Sequence, residues 1–220
     1  MTVTDTQQSN ATSTPVRTLR LAERVAIAIL ERIGMHLWGF RPRLMRTIVT
    51  LRGPAASLRW FVSNMPRYER TLADWGLIRT HLACAAISSE NGCPYCTFGH
   101  AFALELAILR EHDRLLPIDE NEIAALHALG RDRRRLALRE ALRATGLEDE
   151  TVVLERVWAV YDGAAAATDE ARRIGHLVEM FAFLNACGIE GCAAPDEAHD
   201  PINKDTALKQ RYRARRSSSG

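Results

Sequence analysis

Residues 81–109 read HLACAAISSENGCPYCTFGHAFALELAIL, two apolar runs joined by the dipeptide Asn91-Gly92. In the first run Leu77, Ile78, Leu82, Ala85 and Ala86 share one helical face, and Leu82 to Ile87 contains no charge. A helix apolar nearly all round belongs at the centre of a bundle. Asn91-Gly92 is a turn signal, with glycine suited to the residue just past a helix end. The second run opens with Pro94, where a missing N–H costs nothing at the first helical position, and is predicted to continue to about Arg114. These two helices set the fold class: all-α, with a helix hairpin in the core.

Outward from this hairpin the same period recurs. Leu21, Val25, Ile29 and Ile33 repeat every four residues, with Ile27 and Leu30 extending the apolar surface to a second side. Short helices are expected at 42–51 and 55–64, the latter ending near Met65-Pro66 because the residue before proline avoids the α region. Residues 119–129, 132–145 and 148–162 read as three more, broken at Gly130 and Gly146. Thr168 can cap a last long helix. The count is about eight, with no strand or hairpin signal. Residues 1–15, polar and nearly uncharged, and 201–220, a basic tail, are expected to be disordered, leaving 16–200 as one domain.

The chemistry is concentrated in Cys93-Pro-Tyr-Cys96-Thr-Phe-Gly-His100. Spacings of three and four residues put both sulfurs and the imidazole on one helical face. The first turn of a helix also favours a thiolate through its unpaired N–H groups and dipole. Three readings fit: a buried structural pair, a redox dithiol, or a zinc site completed by His81, Cys84 or water. The thioredoxin-type context is excluded, because that motif requires a βαβ unit.

An uncharged helix ending in Asn91-Gly92, followed by C-x-x-C-x-x-x-H opening the next, resembles the alkylhydroperoxidase D / carboxymuconolactone decarboxylase superfamily. The resemblance rests on Ala85–Ser89, Asn91, Gly92, Cys93, Tyr95, Cys96, His100 and Ala101. It extends over roughly 55–188, including the Phe-Ala-Phe-Leu-Asn run at 181–185. It implies a helical homo-oligomer that reduces hydroperoxides or disulfides without a cofactor. Cys96 would be the attacking thiolate, His100 its base and Cys93 the resolving thiol, with a dithiol protein restoring the pair. Where the peroxidases carry a Glu twelve residues before the first cysteine, this chain has His81, which can pass protons near neutrality. The other class is a non-catalytic oligomeric helical module, with zinc held by Cys93, Cys96, His100 and His81.

Further residues carry weaker expectations. His176, Glu179, Met180, Phe183 and Cys187 share a face that could wall a pocket against the cysteine helix. Cys84 reads as buried and inert, and Cys187 with Cys192 as a conceivable second pair. His36, His112, His127 and His199 read as surface residues.

The 220 residues suit one domain, and a composition of 47% hydrophobic and 25% charged residues excludes a disordered, collagenous or disulfide-scaffold chain. Five cysteines, an odd number, argue against a secreted disulfide framework. The N-terminus has neither the basic nor the apolar region of a secretory leader, and no run is long enough to span a bilayer. A cytoplasmic location is therefore expected. Residues 16–80 carry a net +8, 81–203 a net −10, and the tail from Lys204 a net +5. The tail has no groove-reading module attached, so neither nucleic-acid nor membrane contact is expected. No phosphate loop or nucleophile elbow is present. Trp38, Phe40, Trp60 and Phe61, close to the apolar 17–33 helix, point to a subunit interface there.

Overall fold

Asn91 and Gly92 do turn the chain between two helices: Gly92 has φ 74°, a left-handed conformation that glycine adopts without steric cost. In this computed structural model, which describes residues 18–218, the two apolar runs become the ends of α3 (Pro54–Glu90) and α4 (Pro94–His112). Every residue from Thr80 to Ser89 is buried, and so is every residue from Gly99 to Leu109. Water is excluded from these two stretches on all sides, and Glu105 is the one acid within them.

The remaining helices wrap this hairpin. They are α1 (Leu21–Trp38), α2 (Leu44–Arg52), α5 (Glu120–Ala125), α6 (Arg131–Ala144), α7 (Glu148–Tyr161), α8 (Asp169–Glu190) and α9 (Thr206–Ser218). Helices α7 and α8 pack on α3, and α5 and α9 on α4, with α8 also reaching α2 and α4. Among the described residues there are nine α-helices, two short 3₁₀ turns (Leu126–Ala128 and Pro201–Lys204) and no strand. The all-α expectation holds, with one helix more than expected. No helix among these residues is long and apolar enough to cross a membrane.

Two expectations fail for identifiable reasons. The helix at 55–64 does not end at Met65-Pro66; it runs through Pro66 and breaks instead at Gly76 (φ 77°, ψ 175°). Proline removes one hydrogen bond, which a helix packed along its length survives, whereas a left-handed glycine reverses the backbone itself. The tail is not disordered from 201: α9 lies on α4 and buries Leu208 and Tyr212. Its arginines anchor it. Arg211 donates to the Leu109 carbonyl, Arg215 pairs with Asp113 at 2.7 Å, and Arg216 binds the buried Glu105 carboxylate and the Leu116 carbonyl. Residues 1–15, expected to be disordered, lie outside the described residues.

On α1 the buried side is Ala26, Ile27, Leu30 and Gly34, while Leu21, Val25, Ile29 and Ile33 are exposed. The four-residue repeat read from sequence thus lies on the outer face.

Candidate functional site

The site is built where α4 begins. Cys93 is the N-cap of α4, and its sulfur accepts the Cys96 N–H at 3.5 Å, while Thr97 Oγ1 donates to the Cys93 carbonyl at 2.8 Å. Cys96 follows one turn on and His100 a further turn, so the helix supplies the spacing by itself. Room for the sulfurs comes from α8: a Cβ on Gly188 would lie 2.6 Å from Cys93 Sγ and 3.9 Å from Cys96 Sγ. All five cysteines are free thiols.

The two sulfurs differ. Cys96 S–H hydrogen-bonds Cys93, which with the Asn185 side chain and the α4 N–H groups outweighs burial and holds the Cys93 thiol below its ordinary pKa. The same bond, together with burial, pushes the Cys96 thiol up. Of the two thiols, Cys93 is therefore the one that gives up its proton more readily. Only Cys96, however, lines the adjoining cavity of about 50 Å³, whose wall also includes Trp38, Tyr95, His100, Phe181 and His199. Cys93, at the very start of α4, is fully buried and does not line that cavity.

Asn185 connects the site to the hairpin turn. Its Nδ2 donates to Ser88 Oγ at 3.1 Å, and its Oδ1 accepts from Asn91 Nδ2 at 2.7 Å. Tyr161 then donates to Asn91 Oδ1 at 2.9 Å. Glu90, the last residue of α3, has its side chain buried and clamped by Arg134 at 3.1 Å and Arg135 at 2.8 Å.

His100 sits beside His81. Their Nδ1 atoms are 3.0 Å apart, so one ring must donate to the other. Burial first, then the charges of His81 and His199, holds His100 far below the ordinary histidine pKa, and it is neutral. On the other side of His81, Nε2 lies 3.1 Å from Asp200 Oδ2, close but off the line of a well-aligned hydrogen bond. Neither atom has another partner among the described residues. Burial works against the Asp200 carboxylate, but His81 and the Ile202 N–H outweigh it and keep its pKa below the usual value. A proton on His81 Nε2 faces the Asp200 carboxylate and leaves His81 Nδ1 to accept from His100. His100 then donates from Nδ1 and is left with a basic Nε2, which has no protein partner among the described residues.

Asp200 belongs to a strap, residues 196–200, that the sequence reading left outside the site. His199, read as a surface residue, is buried: its N–H donates to the Gly99 carbonyl at 3.0 Å, and its ring packs 4.8 Å from Tyr95 and 5.4 Å from His100. A Cβ on Gly99 would fall 2.4 Å from that ring, so the glycine is what admits it. Asp196 accepts from Tyr95 Oη at 2.9 Å, the Arg43 N–H at 3.2 Å and His199 Nε2 at 3.2 Å. Burial opposes its charge, but His199 and the N–H donors hold its pKa down. The one local hint was the density of acids and a histidine in Asp196-Glu-Ala-His-Asp200. Nothing in its periodicity tied that segment to Cys96.

Of the α8 residues expected to wall a pocket, Met180 does, joined by Phe181 and Leu184. Phe183 instead packs on Trp60 and under Arg52, and Cys187 is buried near Cys93. Cys84 is wholly buried, and burial pushes its thiol up, as an inert residue requires. Cys192 is exposed and Cys187 is not. Among the described residues no three His, Cys, Asp or Glu side chains are placed to hold a metal ion. Compared with protein-family models, curated proteins and solved structures, the chain matches none.

Proposed function

We propose that the chain is a cofactor-free thiol peroxidase or disulfide oxidoreductase working through Cys96 and Cys93. The observation that carries this reading is the shared cavity wall: a buried thiol with a resolving thiol behind it, beside a neutral histidine whose free nitrogen can take a proton. The motif's resemblance to the alkylhydroperoxidase D-like proteins supports it independently.

In the proposed cycle His100 Nε2 removes the Cys96 proton, and the imidazolium so formed is relieved by passing its Nδ1 proton to His81, which faces the Asp200 carboxylate. The Cys96 thiolate attacks the terminal oxygen of R–O–O–H. The O–O bond breaks, the alkoxide takes the stored proton and leaves as R–OH, and Cys96 becomes a sulfenic acid. Cys93 then attacks that sulfur and forms the disulfide, the hydroxyl leaving with a proton as water. An external dithiol returns the pair to the reduced state by exchange. In a disulfide substrate, the Cys96 thiolate attacks sulfur in place of oxygen and Cys93 resolves the mixed disulfide. General acid–base help of this kind is worth about 10²–10⁴ in rate.

The protein is proposed to be cytoplasmic and to self-associate through the outer face of α1, where Leu21 is 75% and Val25 50% exposed. The test of the activity is stoichiometric. Cumene hydroperoxide added to the reduced, metal-free protein should oxidise one Cys93–Cys96 pair per chain, with one cumyl alcohol formed. Thiols that stay reduced, or one zinc retained per chain with both sulfurs masked, would defeat the reading.

A further inference from the structure

Beside the cysteine cavity, α3 and α8 form a second cleft of different character. It encloses about 230 Å³ and is lined by Arg67, Arg70, Thr71, Asp169, Arg172, Arg173 and His176. Two of its arginines are committed: Arg172 pairs with Asp169 and Arg173 with Asp74. Arg67 has no acidic partner among the described residues, and Arg70 donates only to the Pro66 carbonyl at 3.1 Å. The wall thus holds two guanidinium groups with no acid of their own, since Asp169 is taken by Arg172, and guanidinium groups bind carboxylates.

The cationic cleft and the apolar cavity are both lined by residues of α3 and α8, with no lining residue in common. On α3, Met65 and Tyr68 line the cavity while Arg67, Arg70 and Thr71 line the cleft. On α8, His176 lines the cleft and Met180, one turn on, the cavity. A hydrogen bond of 3.2 Å from His176 Nε2 to Asn64 Oδ1 ties the helices together at this junction. Beyond it the lining is Trp60, Phe61, Phe181 and Leu184, as far as Cys96. Helical rise puts His176 about 18 Å along α8 from Gly188, the residue that touches the sulfurs. Cleft and cavity thus lie in series as one interrupted groove, positive at the cleft, crossed by the His176–Asn64 bond and apolar beyond it as far as Cys96.

We propose that this groove takes a single-chain, long-chain carboxylate, with its anionic head between Arg67 and Arg70 and its apolar body along α3 and α8 toward Cys96. This rests on the thiol peroxidase reading and names its substrate class: an acyl hydroperoxide that carries a free carboxylate, rather than a small or neutral peroxide. Charge complementarity fixes the direction of entry. The cavity of about 50 Å³ must widen to take the chain, and half-buried Met65 and Phe61 are the side chains at its rim, methionine being the readier to turn.

The experiment is calorimetric titration of the reduced protein with myristate, methyl myristate and dodecyl phosphate at low salt. Myristate should bind at least tenfold tighter than its methyl ester, and Arg67→Glu with Arg70→Glu should erase that preference. Arg133→Glu, on the exposed face of α6, should keep it. Equal binding of acid and ester, a preference that survives the charge reversal, or binding of neither would overturn the proposal. Tighter binding of dodecyl phosphate than of myristate would overturn the carboxylate assignment. Because binding is read without turnover, a protein that selects myristate but leaves cumene hydroperoxide unreduced would refute the peroxidase reading while upholding the groove.

Discussion

The first turns of α4 and the strap at 196–200 both furnish the site, but by different physics. On α4 the geometry is local: Cys93, Cys96 and His100 share a face because a helix repeats every 3.6 residues, whatever surrounds it. The strap is irregular chain that places Asp196, His199 and Asp200 through contacts with residues about a hundred positions earlier, such as Gly99 and His81. In the proposed cycle the α4 residues supply the reacting atoms. The strap supplies only orientation and charge. The difference teaches that a helical motif can reveal the nucleophile yet be silent about what sets its protonation.

If that division is right, removing a helix residue should be more damaging than removing a strap residue. Cys96→Ser should abolish peroxide turnover, a loss of at least about 10³-fold. Cys93→Ser should still give one turnover, stopping at a sulfenic acid that a dimedone label and mass spectrometry would detect. A label appearing instead on Cys93 of Cys96→Ser would reverse the roles of the two sulfurs.

Asp200→Asn comes next. It keeps an oxygen for the Ile202 N–H but removes the charge behind His81. The rate of Cys96 oxidation should fall about 10- to 100-fold, within the range of carboxylate-backed imidazoles. The thiol pH profile should move with it, while the melting temperature stays near that of the unaltered protein. An unchanged rate and profile would reduce the strap to packing.

Gly99→Ala tests the seat of the strap. The added methyl would overlap the His199 ring, so the strap must shift, at a cost of about 1–3 kcal/mol in stability. Denaturant unfolding measures the cost, and peroxide kinetics show whether displacing Asp200 and His199 together slows Cys96 as Asp200→Asn does.

The effect farthest from the sulfurs belongs to the anchor of α9. Burial outweighs the Arg216 contact and raises the Glu105 carboxyl to about 8. In the unfolded chain it titrates near 4.3, so between these values the folded state binds the extra proton and stability falls as pH rises. Its contribution is complete below about pH 4 and declines by about 1.4 kcal/mol per pH unit at most until pH passes about 8. Glu105→Gln should flatten that slope in urea titrations across pH 5–8. A slope unchanged by the substitution would show Glu105 ionised throughout and the anchor a plain ion pair.

Much of this molecule was legible before its structure. The α3–α4 hairpin follows from uncharged runs and Asn91-Gly92, because apolar periodicity and turn chemistry act within a few residues of chain. The break at Gly76 was not legible, since one glycine in Ala-Asp-Trp-Gly-Leu carries no sign of which φ it adopts. The arginine-rich end looked like a solvated tail, for a charge run names no partner until Glu105, Asp113 and the carbonyls at the end of α4 are known. On α1 the sequence showed two apolar sides, and only packing decided that Ile27 and Leu30 face inward.

By itself, then, the sequence determined what depends on short-range order: an all-helical chain, two central helices, and two thiols and an imidazole on one face. Tertiary structure alone decided that Cys96 faces the cavity and Cys93 lies behind it, that His100 is neutral, and that Asp200 stands at the end of its histidine pair. These properties depend on desolvation and on charges brought from distant segments. A helical repeat encodes neither.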